Sequence, residues 1–178
     1  MQRIDTCREF KQYVVEPDFR DFMADVSDLR RAWHCAGSLF HLHDWVYAAH
    51  KASIDATYTF VDDEAKTRPV SCAAHFANSL GQQHPDFQLV RSTANSSKHF
   101  VLRPAPPGRT NPPGMPSCAA NTYVSQATWD SAKATFDHDA FDDIGEVKLQ
   151  RSTGDIEFAT LARSVLDMWD RLFATAGW

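Results

Sequence analysis

A chain of 178 residues with a net charge of −5 is naturally one domain, and it is long enough to bury a hydrophobic core without disulfides. Its 43% hydrophobic and 23% charged residues are ordinary values for a globular protein. The charged N-terminus does not resemble a secretory signal, and no apolar run approaches the roughly 18–20 residues that a membrane helix needs. We therefore expect a single cytoplasmic domain over residues 1–178, with no membrane partner.

The cysteines point to the same compartment. They lie far apart and form no C-x-x-C pair, which argues against structural zinc. Their positions are Cys7, Cys35, Cys72 and Cys118. The sequence therefore predicts a reduced protein with buried thiols.

The charge of the chain is unevenly distributed. Its negative total argues against general coating of nucleic acid, yet the stretch between Asp86 and Asp130 contains no acidic residue. That stretch holds four basic residues: Arg91, Lys98, Arg103 and Arg109. A local basic face on an acidic body predicts an anionic ligand in this part of the molecule.

A long apolar stripe dominates the first third of the chain. After a short helix over residues 3–14, apolar side chains alternate steps of three and four residues, which predicts one helix from Pro17 to about Ala52. The stripe consists of Phe19, Phe22, Val26, Leu29, Trp33, Ala36, Phe40, His43, Tyr47 and His50. We expect this helix to be buried along its length, with a kink at Gly37-Ser38.

Two shorter helices are predicted next, and each has a start signal. One extends from Thr67-Arg68-Pro69 to a stop at Gly81, and the other opens at Pro85 and ends before Pro104. We expect the second of them to pack against His43 and Tyr47 of the long helix.

The last third of the chain is mixed. A proline-rich loop covers residues 103–117, and strand-like alternation at 122–128 and 146–150 predicts a small antiparallel sheet. A final helix over 156–174 closes the fold. The predicted fold is mainly α: a helical bundle with a long helix in its N-terminal half and a small antiparallel β insertion before the last helix.

The stretch from Arg91 to His99 carries a set of side chains suited to catalysis. Arg91, Asn95 and His99 recur every four residues and share one stripe of a helix, and Lys98 lies beside them. Cleavage of RNA without a metal needs a base for the 2′-hydroxyl, an acid for the leaving oxygen and cations for the phosphorane. Histidine serves either proton role, and arginine binds phosphate. The alternative is a polar stripe that faces solvent or a partner helix.

The histidines of the long helix allow two further interpretations. Asp44 or His43 could reach across and orient His99. His43, His50 and His99 could instead surround a small molecule or metal between helices, or His43 and His50 could be hydrogen-bonded core residues. His41 and Asp44 are three residues apart, a separation that lets two ligands share one metal. However, His41 and His43 point in different directions from one helix and no E-x-x-H pair occurs, so we expect neither a metal nor another cofactor.

A long first helix, a second antiparallel helix with an Arg and a His, and a helical closure together resemble HEPN domains. The resemblance covers residues 17–102 and the last helix. The family's motif is an Arg, four to six residues and a His. Seven residues separate Arg91 from His99, and six separate Arg68 from His75, where Pro69 takes the place of a polar residue.

HEPN domains are helical bundles of bacterial defence and toxin–antitoxin systems, and many are ribonucleases that act as dimers. The resemblance therefore implies a metal-independent RNase or a protein that binds RNA or another phosphate-bearing ligand. His99 would transfer protons, Arg91, Lys98 and Arg103 would bind phosphate, and Asn95 would orient the substrate. It also implies a homodimer and a toxin–antitoxin partner. A non-enzymatic interaction module, such as an antitoxin or adaptor, is the alternative function.

Overall fold

The structure is a computed structural model that describes residues 3–97, 122–125, 145–151 and 154–178. These residues form a mainly helical fold with two small antiparallel sheets. The sequence predicted the helical fold and one of the two sheets. None of the described helices combines the length and apolarity needed to cross a membrane. The predicted proline-rich loop at 103–117 lies outside the described residues.

The chain enters the fold through two helical segments joined by a π-helical turn. Helix α1 (Cys7–Phe10) leads into the turn (Lys11–Val15) and then into α2 (Glu16–Met23). At its start, the Thr6 side chain accepts from the Glu9 N–H while the Glu9 carboxylate accepts from the Thr6 N–H, which completes a capping box. The helix predicted at 3–14 therefore continues past Pro17. A proline has no N–H for the helical ladder, and the π turn interrupts that ladder just before it.

The long helix begins later than the sequence predicted. The chain leaves α2 at Ala24, and α3 (Leu29–Thr57) starts only after a bend, so the single helix expected over 17–52 is wrong. Two aspartates cause the break. Asp25 accepts from the Ser27 N–H at 3.2 Å, and Asp28 caps α3 by accepting from the Arg30 N–H at 2.8 Å. Short acidic side chains compete with the helical ladder in this way, and the apolar spacing does not report it.

Helix α3 is kinked at His50, not at Gly37-Ser38. The backbone of His50 has φ −125° and ψ 26°, outside the helical region. Its ring stacks on Trp178 with centroids 5.5 Å apart, and its Nε2 lies 3.7 Å from the Cys7 Sγ. Across the kink, the Tyr47 hydroxyl donates to Asp55 at 2.8 Å. The ring of His50 thus packs against Trp178 and Cys7. Beyond the kink the helix continues to Thr57.

A hairpin that the sequence analysis missed follows α3. Strands β1 (Thr59–Val61) and β2 (Thr67–Pro69) pair antiparallel, so the residues predicted to start a helix form a strand. The turn between them depends on Asp62, which accepts from the backbone N–H of Glu64 and Lys66. Its other oxygen accepts from Arg68 Nε at 2.7 Å. This turn chemistry overrides the helix-start signal of Pro69.

Helix α4 (Ala73–Gln83) lies beside this hairpin and covers its first strand. The Gln82 amide accepts from the Val61 N–H and donates to the Val61 carbonyl, both at 2.8 Å. The Ser79 hydroxyl donates to the carbonyl of Thr59 at 2.7 Å. Gly81, the predicted stop, lies within the helix.

The remaining elements follow the predicted order, except that a short third strand occupies the predicted start of the last helix. They are α5 (Pro85–Ser96), β3 (Thr122–Val124), β4 (Val147–Leu149), β5 (Ile156–Glu157) and α6 (Phe158–Ala176). Strand β4 lies between β3 and β5, with antiparallel pairing on both sides, which confirms the predicted pairing of 122–128 with 146–150. The Val147 N–H also donates to the carbonyl of Val26 at 2.9 Å, so the bend before α3 docks onto this sheet.

The core surrounds α3. Phe22 is fully buried and Phe40 is 8% exposed, as predicted, whereas Trp33 is half-buried. The Trp169 indole N–H of α6 donates to the Leu39 carbonyl at 3.0 Å, and Phe87 of α5 packs on Phe40 with ring centroids 6.0 Å apart. Helices α5 and α6 therefore meet on the same stretch of α3.

Gly37 offers a direct test of the α3 geometry. An added Cβ there meets no atom within 4 Å, so Gly37→Ala should stabilise the protein by about 0.5–1 kcal/mol through helix propensity. Urea unfolding followed by circular dichroism measures the change. Gly81→Ala is the matched control, because its Cβ would come 2.4 Å from the Gln88 Oε1, so that side chain must move and the gain should be smaller. A urea midpoint for Gly37→Ala that is equal to or lower than that of the wild type would contradict the free space around Gly37.

Candidate functional site

The candidate site lies where α5 crosses α3, and Arg91 is its centre. The Arg91 guanidinium carbon lies 5.8 Å from the centroid of the Phe40 ring, and its Nη1 donates to the Asn78 Oδ1 at 2.7 Å. The side chain is half-buried, and this burial lowers the pKa of Arg91. Within the described part of the chain, no carboxylate forms an ion pair with it. Arg91 is thus a partly dehydrated cation that a neutral amide holds in place.

His43 forms the buried side of the site. It is 4% exposed, its ring lies 4.6 Å from that of Phe40, and its Nδ1 donates to the Phe40 carbonyl at 2.6 Å. Burial lowers the pKa of His43; the Phe40 carbonyl and the Asp44 charge oppose this, while the charges of Arg91 and His41 add to it. The ring is therefore neutral at neutral pH, with its proton on Nδ1.

Asp44 links two imidazoles at the exposed side of the site. Its Oδ1 lies 3.3 Å from His43 Nε2, and its Oδ2 lies 3.1 Å from His41 Nδ1. Because His43 is neutral at neutral pH, its contact with Asp44 is not an ion pair there. The sequence analysis expected His41 and His43 to leave the helix in different directions, but both rings reach the carboxylate of Asp44.

Tyr47, Asn95 and His50 occupy different places. The hydroxyl of Tyr47 binds Asp55, and its ring lies 6.3 Å from that of Phe76 on α4, whereas His43 faces α5 through Phe87. Asn95 is half-buried on α5, one turn beyond Arg91. His50 instead contacts Cys7 and Trp178 at the kink of α3.

Some predicted site residues lie outside the described part of the chain, whereas the alternative Arg–His motif lies within it. His99, Lys98 and Arg103 lie outside the described residues. In the alternative motif, Arg68 is on β2 and is held by Asp62 at 2.7 Å, while His75 is on α4 and stacks on Phe60 at 4.4 Å. Arg68 is therefore already neutralised by a carboxylate.

The described residues contain no group of three or more His, Cys, Asp or Glu side chains placed to hold a metal ion. In the cluster of Asp44, His41 and His43, one imidazole nitrogen, His43 Nδ1, is already used by a backbone carbonyl. This cluster consists of one exposed carboxylate and two imidazoles, of which His43 is buried and His41 is half-buried.

Sequence reasoning missed two features of this site. Asn78 comes to Arg91 from another helix, and no spacing within α5 indicates that contact. The pairing of His41 with Asp44 was visible as a three-residue spacing on one helix, but the sequence analysis considered it only as a metal pair.

Comparison of the chain with protein-family models, curated proteins and solved structures found no match.

The neutral state of His43 makes stability depend on pH. The pKa of His43 is lower in the fold than its ordinary 6.5, so as the pH falls below 6.5 the unfolded chain takes up a proton before the folded one does. The stabilisation is complete above that pH and is lost as the pH falls toward the folded pKa. His43→Gln should remove this part of the acid dependence and lower stability overall, since a buried ring is lost.

Urea unfolding from pH 5 to 7.5 measures the effect as a difference between proteins, because carboxylates contribute to every curve. The control is His34→Gln, which changes an exposed histidine on the same helix and should keep the wild-type slope. Parallel curves for wild type and His43→Gln would show that His43 is not held neutral.

Proposed function

We propose that this protein binds a phosphate-bearing ligand at the crossing of α3 and α5, and that the ligand is RNA, cleaved without a metal. The proposal depends on one observation, the setting of Arg91. Its guanidinium is half-buried, fixed by Asn78 and Phe40, and not ion-paired with any carboxylate in the described ranges.

Removing a cation from water costs free energy, and proteins usually offset that cost with a carboxylate. Asn78 orients the guanidinium with a neutral oxygen and leaves its charge intact. An arginine retains further N–H donors when one is used, and two donors in a plane match the oxygens of a phosphate. A site of this kind is complete only when an anion occupies it.

The HEPN-like resemblance supports RNA as that anion. In this proposal Arg91 stabilises the charge that develops on phosphorus, and Asn95 orients the backbone from the next turn of α5. The residues that the sequence assigns to proton transfer and further phosphate contacts are His99, Lys98 and Arg103. The homodimer and the toxin–antitoxin partner belong to the same proposal.

The decisive variant is Asn78→Asp. It places a carboxylate of nearly the same shape next to Arg91 Nη1, so it keeps the contact and neutralises the charge. We expect it to fold normally and to bind a fluorescein-labelled single-stranded RNA 12-mer at least about 10-fold more weakly, a loss of about 1.4 kcal/mol. Arg91→Ala should weaken binding similarly, and added salt should weaken the wild type. Fluorescence anisotropy measures each affinity.

Arg68→Ala is the matched control, because Arg68 is already paired with Asp62 and should contribute little to binding. Wild-type affinity in Asn78→Asp would refute the role of Arg91. A wild type that binds no RNA at all would refute the function and favour the non-enzymatic interaction module.

A further inference from the structure

We propose that ligand binding at Arg91 is coupled to protonation of His43, so that the protein takes up a proton as it binds a phosphate and binds it more tightly as the pH falls. This inference depends on the proposed function, because it needs an anion on the Arg91 guanidinium. It adds a pH response to that site and gives the buried histidine a role beyond packing.

The first support is that His43 and Arg91 pack on the same ring. The centroid of the Phe40 ring lies 4.6 Å from that of His43 and 5.8 Å from the Arg91 guanidinium carbon. The two groups are therefore no farther apart than the sum of these distances, which is about one Debye length at an ionic strength of roughly 0.1 M. Salt screens charges only partly within that range, and less when one of them is buried. Arg91 and a protonated His43 thus repel each other in the unliganded protein.

The second support is that the surroundings of His43 suit a charged ring. A protonated imidazole is a donor at both nitrogens. The Phe40 carbonyl accepts from Nδ1 at 2.6 Å, and the Asp44 Oδ1 lies 3.3 Å from Nε2. A neutral ring with its proton on Nδ1 has no hydrogen to offer that carboxylate. Protonation of Nε2 therefore adds an attraction to a negative charge that is already in place.

The third support is the balance of effects on His43. Burial lowers its pKa most, the Phe40 carbonyl and the charge of Asp44 raise it, and the charges of Arg91 and His41 lower it. Within the described ranges, the charged groups that act on the ring are thus Asp44 and His41 from α3 and Arg91 from α5. A phosphate on the guanidinium offsets the charge of Arg91, so ligand binding changes this balance directly.

The direction of the coupling follows from these charges. An anion at Arg91 should raise the pKa of His43, and it removes little further water from a ring that is only 4% exposed. Linkage is reciprocal, so a protonated His43 strengthens binding by the same factor by which binding favours the proton. The gain is absent at alkaline pH, where His43 is neutral with or without ligand. It grows as the pH falls through the pKa of the liganded site and is complete below that of the unliganded site.

Nuclear magnetic resonance of protein with isotope-labelled histidine tests the coupling without RNA. The His43 signal is assigned from its contact with the Phe40 ring and followed as the pH changes. Asn78→Asp places a carboxylate on Arg91 in place of the ligand, so it should raise the pKa of His43, and Arg91→Ala should do the same. Arg68→Ala is the control, because Arg68 is paired with Asp62 on the β1–β2 hairpin. An unchanged pKa of His43 in both Asn78→Asp and Arg91→Ala would overturn the inference.

Isothermal titration calorimetry with an oligouridylate 12-mer measures the proton uptake itself, because uracil does not titrate between pH 5 and 7.5. At pH 6, in buffers of different ionisation enthalpy, the wild type should take up more protons on binding than His43→Gln does. Between pH 7.5 and 5.5 its affinity should rise about fivefold more than that of His43→Gln. His34→Gln, which changes an exposed histidine of α3, should behave as the wild type does. The same RNA should raise the pKa of His43 in the wild-type protein, a readout that needs no His43 variant to fold.

The outcomes separate this inference from the proposed function. If the wild type binds RNA but the pKa of His43 does not change, or if His43→Gln takes up as many protons as the wild type, His43 is not the coupled group and the phosphate site stands. If the wild type does not bind RNA, the proposed function fails and the inference fails with it.

Discussion

The burial of one face of α3 determines where the other described elements lie. Ala32 and Ala36 on that face are small and fully buried, so neighbouring helices can approach closely. Leu39 provides both an apolar side chain and the carbonyl that accepts from Trp169. A buried side chain of leucine or phenylalanine size contributes about 1.5–3 kcal/mol, so a stripe of this length outweighs the cost of the polar groups held beside it.

The candidate site is a consequence of this packing. Phe87 inserts between α3 and α6, and Arg91 follows it by one turn on the same face of α5, which brings the guanidinium over Phe40. The groups that fix Arg91 and His43 are an amide and a backbone carbonyl, both neutral. The only carboxylate described in this cluster, Asp44, lies at its exposed edge. The packing thus separates a half-buried cation, which pairs with no carboxylate among the described residues, from a surface acid that contacts imidazole.

The sequence was most informative about the buried face of each helix or strand and least informative about contacts between side chains of different helices. Periodicity identified the α3 stripe and the pairing of β3 with β4, because side-chain spacing within a strand or helix reports its buried face. It missed the bend at Asp25, since the apolar spacing continues across a break that the side chains of Asp25 and Asp28 create. It missed the contact of Arg91 with Asn78 for a different reason, because that contact joins two helices whose relative placement depends on the whole core.

The hairpin of β1 and β2 has a consequence for how this protein behaves at high concentration. A small sheet with open edges can add strands from other molecules and grow into an aggregate. Here the Gln82 amide already occupies both backbone groups of Val61 on one edge. On the other edge Pro69 has no N–H to offer an incoming strand. One edge is thus covered by a side chain and the other lacks a donor at Pro69, so the hairpin is a poor template for cross-β growth.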